Sequence, residues 1–483
     1  MSADGTSWPD TSAGAEASQP VELLLTVARD GPRTLGAQIE EQLRAAIRDG
    51  TLKPGARVPS TRDLARQLGV SRRIAVDAYA QLAAEGFLTL RQGARPHVSG
   101  AAAGDPGPAA AHEPVPAALR YDFRPSVPDV SAFPRAAWAR ALRTALAGMT
   151  DAELAYSDPR GARVLREALA EYLGRVRGVV AVPGRVLVTS GYTQGLDVVL
   201  HALAARGARM LAVEDPSDPE AEWSATRAGL RSVRVAVDDE GIRVDALAAS
   251  GADAVVLTPA HQHPTGVVLS SARRAQLVAW LRERGAVAIE DDYDAEYRYD
   301  RAAVGALQGL DPEHVVYAGS ASKTLAPALR LGWLVLPPGL VEPVAHQKLL
   351  ADRGTARIEQ HALADFLARG ELDRHLRRMR IRYRARRDAL VAALAEELPE
   401  ARVRGIAAGL HATVELTAGD DEAAILAEAA RRRLGLMALG EVRSGDASGP
   451  ATLLVGYAQL SEPGIPAAVR ELAAAVRAAR AAS

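Results

Sequence analysis

The sequence predicts an α/β protein in two parts, a small helical N-terminal module and a large domain built on a mainly parallel sheet. Three observations point there. The window Arg33–Val98 reads as short amphipathic helices and holds 11 Lys+Arg against 6 Asp+Glu, a local charge of +5. The whole chain has a net charge of -1, so the remainder carries -6. Such an asymmetry separates a nucleic-acid module from a companion domain. The stretch 99–118, SGAAAGDPGPAAAHEPVPAA, has four prolines and no aromatic residue, as an interdomain linker does. Beyond it, short apolar runs alternate with longer amphipathic ones, the pattern of βαβ crossovers. With 483 residues, 48% of them hydrophobic, the chain can bury a core in each part.

Composition removes whole classes of chemistry. There is no cysteine, hence no disulfide, cysteine-ligated zinc, iron–sulfur cluster or thiol nucleophile. The first twenty residues carry no Lys or Arg, and no apolar run approaches a membrane span. A cytoplasmic protein with no membrane partner is expected. Of the 58 basic residues only three are lysines: Lys53, Lys323 and Lys348. In a chain that otherwise uses arginine, a retained lysine suggests amine chemistry, because a guanidinium does not form a stable imine.

The element order follows from these patterns. Residues 1–32 are assigned to a disordered arm, Ser/Ala/Gly-rich and aperiodic to about Gln19. Leu35, Ile39, Leu43 and Ile47 recur every four residues and predict a first helix, stopped at Gly50. Ser60 and Asp63 stand at capping-box spacing and open a second helix with Leu64 and Leu68. Gly69-Val70 turns the chain, and Ser71 caps a third helix with Ile74, Ala78 and Leu82 on its inner face. This is a helix-turn-helix. The second of its helices would enter the major groove with Ser71, Arg72 and Arg73 first, while Arg62 meets phosphate. Tyr79 on the same helix and Arg95 in the following hairpin are further DNA candidates. That hairpin, Phe87–Leu90 with His97-Val98, has the shape of a wing.

After the linker (99–120), the large domain 121–483 offers candidate strands at Val186–Ser190, Met210–Glu214, Ala254–Thr258, Ala286–Glu290, Val315–Ala318 and Leu331–Leu336, with a helix over Ala272–Arg284. Ligand groups gather past the carboxyl ends of parallel strands. Ser190-Gly191, Glu214-Asp215, Thr258-Pro259, Asp291 and Ser320 to Lys323 all fall there. A lysine, an acid, hydroxyls and a later Arg330 together suit a phosphorylated aldehyde cofactor, and pyridoxal 5'-phosphate (PLP) meets that description. Singly, Asp291 in Glu290-Asp291-Asp292 reads as a solvated acidic turn and Arg330 as a surface ion pair.

Two family resemblances sharpen this. LGAQIEEQLRAAIRDGTLKPGARVPSTRDLARQLGVSRRIAVDAYAQLAAEGFLTLRQGARPHV resembles the winged helix-turn-helix domain of the GntR family, most specifically in PGARVPSTRDLARQLGVSR. Its wing has Ala94-Arg95-Pro96 where a second Gly and a Thr are usual, so a wing-tip contact would fall to Arg95. From about Tyr121 onward, TPAHQHPTG, EDDYDAEYRY and SASKTLAPALRLGW resemble a PLP-dependent aminotransferase domain of fold type I. The resemblance implies that Lys323 forms the Schiff base, Asp291 meets the pyridine nitrogen and Tyr293 lies near the 3'-oxygen, with His263 of HQHPTG beside them. It gives the phosphate to Ser320, Ser322, Arg330 and Gly191, Tyr192 and Thr193. Tyr156, in LAYSDPRG, resembles the tyrosine that reaches the partner subunit's phosphate, which implies a homodimer. The pairing of the two domains is similar to that of the MocR subfamily of transcriptional regulators.

Two departures bear on function. Aminotransferases carry an Arg four residues before the Ala of a late strand, where it grips the substrate α-carboxylate. Here Leu454 of Leu453-Leu454-Val455-Gly456-Tyr457-Ala458 takes that place, and no arginine lies between Arg443 and Arg470. Asp218 likewise takes the place of an aromatic residue in Glu214-Asp215-Pro216-Ser217-Asp218. The expectation is a DNA-binding regulator, not an enzyme, with PLP as effector and vitamin B6 metabolism as its object. An amino acid reacting with the cofactor is the competing effector, and an active aminotransferase with a DNA-binding appendage the competing function. The basic run His375–Arg387 reads as a helix at the edge of the small domain with Met379 and Tyr383 turned inward, and is not counted as a site.

Overall fold

The computed structural model describes residues 25–91, 93–100, 118–299, 304–444 and 449–482. The chain divides into two units at residue 116. Most of the expected linker, 101–117, and the first 24 residues of the expected arm lie outside the described residues.

The first unit is three helices and a hairpin: α1 (Leu35–Arg48), α2 (Thr61–Leu68), α3 (Arg72–Ala84), β1 (Leu88–Thr89) and β2 (His97–Val98). The four-residue recurrence puts Ile39, Leu43 and Ile47 on one stripe of α1, and that stripe packs on Leu64, Ala75, Ala78, Leu82, Leu88 and Val98. Ser60 Oγ accepts from Asp63 N at 3.2 Å and Ser71 Oγ from Ile74 N at 3.4 Å, so both caps form as expected. Between α2 and α3, Gly69 has φ 63°, the left-handed turn that glycine makes without strain. Residues 25–30 do not behave as an arm. Leu25 is buried in this core, and the backbone N–H groups of Thr26 and Ala28 donate to Gln42 at 3.0 Å and Gln38 at 2.8 Å. Leu25, Val27 and Ala28 in so short a run left no period for the sequence to reveal.

The second unit begins at β3 (Tyr121–Asp122). Its main strands are β4 (Val186–Thr189), β5 (Met210–Asp215), β6 (Arg231–Asp238), β7 (Gly241–Ile242), β8 (Ala254–Leu257), β9 (Val287–Asp291), β10 (Val315–Ser320) and β11 (Gly332–Val335). They form one sheet in the order β4-β11-β10-β9-β8-β5-β6-β7, parallel from β10 to β6, with β11 and β7 antiparallel to their neighbours. All six expected strands are present, shifted by one or two residues at some ends. The sequence reading lacked β6, whose Arg and Asp residues broke up its apolar run.

Strand alternation loads both faces of the sheet. Leu211 and Val213 point into one cluster with Leu196 and Val199, and Ala212 points into the opposite one with Leu277 and Leu281. The helices are α4 (Arg135–Gly148), α5 (Asp151–Leu154), α6 (Arg163–Arg177), α7 (Tyr192–Ala205), α8 (Glu220–Arg227), α9 (Val244–Ala249), α10 (Ser271–Arg284), α11 (Ala321–Thr324), α12 (Val341–Asp352), α13 (Arg357–Ala368), α14 (Glu371–Glu397), α15 (Glu422–Arg431) and α16 (Ile465–Ala482). A smaller antiparallel sheet, β12-β13-β16-β15, is made by β12 (Arg402–Arg404), β13 (His411–Glu415), β15 (Met437–Ala438) and β16 (Thr452–Gly456), while β14 (Leu434–Gly435) pairs with β3. The basic run lies on α14 with Met379 and Tyr383 buried, and Arg386 bonded to Asp129 at 2.8 Å. Among the described residues no helix is long and apolar enough to cross a membrane.

Candidate functional site

The carboxyl ends of β5, β8, β9 and β10 open on a cavity of about 320 Å³. Lys323, Asp291, Tyr293, Ser320, Ser322, Arg330, Tyr192, Thr193 and His263 all line it. Residues spread over more than 130 positions of sequence thus meet at one place, because parallel strands deliver their C-termini to a single edge.

The floor holds the chemically pointed pair. Lys323 sits on the short α11, and its Nζ donates to Ser126 O at 2.6 Å. Burial lowers its pKa, and the carboxylates of Asp291, Asp294 and Asp218 act in the opposite direction. Asp291 ends β9, where burial and then its neighbour Asp292 push its carboxyl well above the usual range. A cation against it would restore its charge. The run 290–292 is no solvated turn: Glu290 caps the backbone N–H groups of Leu307 and Gln308 at 2.8 and 2.9 Å, and Asp292 pairs with the buried Arg177 at 2.7 Å. The sheet carries β9 through the middle of the domain, away from solvent.

One end of the cavity is a cradle for an anion. Gly191 caps the fourteen-residue α7 with φ 105°, and a Cβ on it would lie 2.9 Å from the Arg330 guanidinium. Arg330 in turn donates to Ser190 O. Free N–H groups at a helix start, a guanidinium and the Ser320 and Ser322 hydroxyls are the donors a phosphate needs. The Thr193 hydroxyl donates to Glu220. Behind the cradle lies a residue that the sequence flagged without assigning. The Lys348 side chain is fully buried on α12 and donates to Gln194 and Thr355, both at 2.8 Å, and to Asp352. Gln194 also accepts from Ser190 N at 2.7 Å, so Lys348 braces the cradle loop. Its retention in an arginine-rich chain fits a site too tight for a guanidinium.

The opposite side is rich in histidine. His261 Nδ1 lies 3.0 Å from both Asp294 and the Tyr293 hydroxyl, and His263 Nε2 lies 3.1 Å from Asp218. His411 of β13 stacks edge-on against His263 at 5.3 Å, and burial holds its pKa well below the usual value. Glu214, at the end of β5, accepts from Thr258 N and Oγ1 at 3.0 and 2.8 Å, yet burial still raises its pKa to about 7. His261 and His411 were absent from the sequence-derived set, and Glu214 was placed at a strand end without a role. Nothing in local spacing ties β13 to β9, so only the fold brings them together.

Tyr156 does not line this cavity. It is 90% exposed, with Arg353 over its ring at 5.7 Å. Leu454 is fully buried on β16 in a small apolar group with Leu439 and Val442.

On the first unit, Arg62, Ser71, Arg72, Arg73 and Arg95 are all exposed. The Asp63 carboxyl is held below the usual range by the Ser60 hydroxyl and then by Arg66, Arg95 and Arg62, which gathers the start of α2 and the hairpin on one basic face. Tyr79 is corrected. It is completely buried, and its hydroxyl donates to Pro59 O at 2.9 Å, so it holds α3 against the chain before α2 and has no surface to offer a groove.

The comparisons agree with this two-part architecture. Residues 35–98 match the model of bacterial regulatory proteins of the gntR family, and residues 127–432 match that of aminotransferase class I and II. The chain is 33% identical to the HTH-type pyridoxine biosynthesis transcriptional regulator PdxR of Corynebacterium glutamicum, over 79% of this chain and 83% of that one. It is 34% identical to the probable rhizopine catabolism regulatory protein MocR of Rhizobium meliloti, over 76% and 79%. The crystal structure of LysN, an α-aminoadipate aminotransferase of Thermus thermophilus complexed with N-(5'-phosphopyridoxyl)-L-leucine, superimposes with a TM-score of 0.67 at 28% identity, covering 75% of this chain and 93% of that one. Fold and matches define a GntR-type helix-turn-helix protein with an aminotransferase-fold second domain. The chain belongs to the MocR type of GntR-family transcriptional regulators.

Proposed function

We propose that this regulator binds operator DNA through residues 33–98 and senses PLP through residues 121–483, as a cytoplasmic homodimer that controls vitamin B6 metabolism. The observation that carries the reading is an asymmetry of the cavity. Its lining combines a lysine, a carboxylate, hydroxyls and a guanidinium that suit PLP, while the position expected to grip a substrate carboxylate is Leu454, buried among hydrocarbon side chains. The name of the PdxR relative, a pyridoxine biosynthesis regulator, supports the choice of signal.

When bound, PLP supplies an electrophilic aldehyde on an electron-accepting ring. Lys323 is the amine for that aldehyde, and Asp291 the carboxylate for the pyridine nitrogen. Tyr293 would serve the 3'-oxygen, with His263 beside it. Gly191, Tyr192, Thr193, Ser320, Ser322 and Arg330 would hold the phosphate, and Tyr156 would serve the partner's. DNA contact falls to Arg62, Ser71, Arg72, Arg73 and Arg95.

An absorption titration tests the cofactor assignment. PLP should give the full-length protein a visible band that Lys323→Ala abolishes. A band that survives this substitution, or no band at all, would overturn it. The second reading, an active aminotransferase, is favoured by the likeness to LysN. Keto-acid formation from any amino donor would support it over the sensor.

A further inference from the structure

Resting on the PLP reading above, we infer that Asp218 is a specificity-determining residue: it bars amino acids, which carry a carboxylate, and admits amines that carry none. The argument is one of charge at the effector side of the cavity. The lining cations are Lys323 and Arg330. Lys323 is committed to the aldehyde, and Arg330 is tied to Ser190 O at the cradle. Facing the same space is the Asp218 carboxylate, half exposed and held by His263 Nε2 at 3.1 Å. That contact keeps the Asp218 pKa below the usual range, so the group is an anion at neutral pH. The turn carrying it is pinned to the apolar group around Leu454, because Ser217 N donates to Val442 O at 3.1 Å. A ligand carboxylate arriving here meets a like charge, whereas an ammonium meets a partner.

The exchange balances without a co-reactant. The incoming nitrogen would take the place of Lys323 Nζ on the aldehyde carbon, and the N–H hydrogens that its ammonium gives up would pass in equal number to the freed lysine, which would leave as an ammonium. Selectivity of this kind also shields a PLP signal from the amino-acid pool.

The test uses the PLP-loaded full-length protein and two matched pairs, ethylamine with alanine and 1,4-diaminobutane with 4-aminobutyrate, followed by the visible band. Each amine should perturb the band at a concentration at least tenfold lower than its carboxylate-bearing counterpart. Asp218→Asn should bring the two members within about threefold, and Asp218→Glu, which keeps the charge, should preserve the difference. Equal responses in the wild type, silence to all four compounds, or an Asp218→Asn protein that retains the difference would each overturn the inference. Absence of any PLP band in the wild type would overturn the cofactor assignment itself, and this inference with it.

Discussion

Burial has opposite consequences for the two kinds of charged side chain at the cavity. Desolvation favours neutral Lys323, the nucleophilic form, and it favours protonated Asp291 until a cation arrives. Glu214 shows the same physics without a partner cation. Its carboxyl is raised by burial to about 7, against 4.5 in the unfolded chain. The folded state therefore keeps a proton that the unfolded state has lost, and the stability this contributes, complete below 4.5, is lost as pH rises to about 7. At about 1.4 kcal/mol per pH unit the loss is on the order of 3 kcal/mol. Glu214→Gln should gain that amount on the wild type between pH 5 and pH 8, read from urea midpoints. Parallel pH profiles for the two proteins would contradict it. Glu290 and Glu296, also raised to about 7, should leave both proteins some residual slope.

At the scale of elements, the cradle depends on a glycine as well as on its charged group. Gly191 has a positive φ that strains any other residue, and a Cβ on it would push the Arg330 guanidinium aside. Gly191→Ala should weaken PLP binding at least tenfold in the absorption titration, while leaving the DNA-binding helices untouched. Undiminished PLP affinity would remove the cradle from the phosphate site. The elements also mark what the sequence could reveal. Strands buried on both faces are near-continuous apolar runs, so β4, β5, β8, β9, β10 and β11 were legible, as were the caps Ser60 and Ser71 that begin α2 and α3. Strand β6 was not, since its exposed polar positions interrupt the pattern. Tyr79 was misread because a polar aromatic on a recognition helix gives no sign of whether its hydroxyl is spent inside the core. His411 and the bracing role of Lys348 depend on contacts between distant segments, which periodicity does not encode.

For the whole molecule, charge is divided as function would require. Residues 33–98 carry +5 and the remainder -6, so the attraction to DNA is local and should weaken steeply with salt. Coupling requires that PLP favour one DNA-binding arrangement over another, since a ligand with equal affinity for both shifts nothing. The most direct test is therefore the affinity of the full-length protein for its operator, measured at one salt concentration with and without PLP, in the wild type and in Lys323→Ala. A PLP sensor should show an affinity that changes at least fivefold with PLP in the wild type and stays constant in the variant. An affinity indifferent to PLP in a wild-type protein that visibly binds it would contradict the sensor.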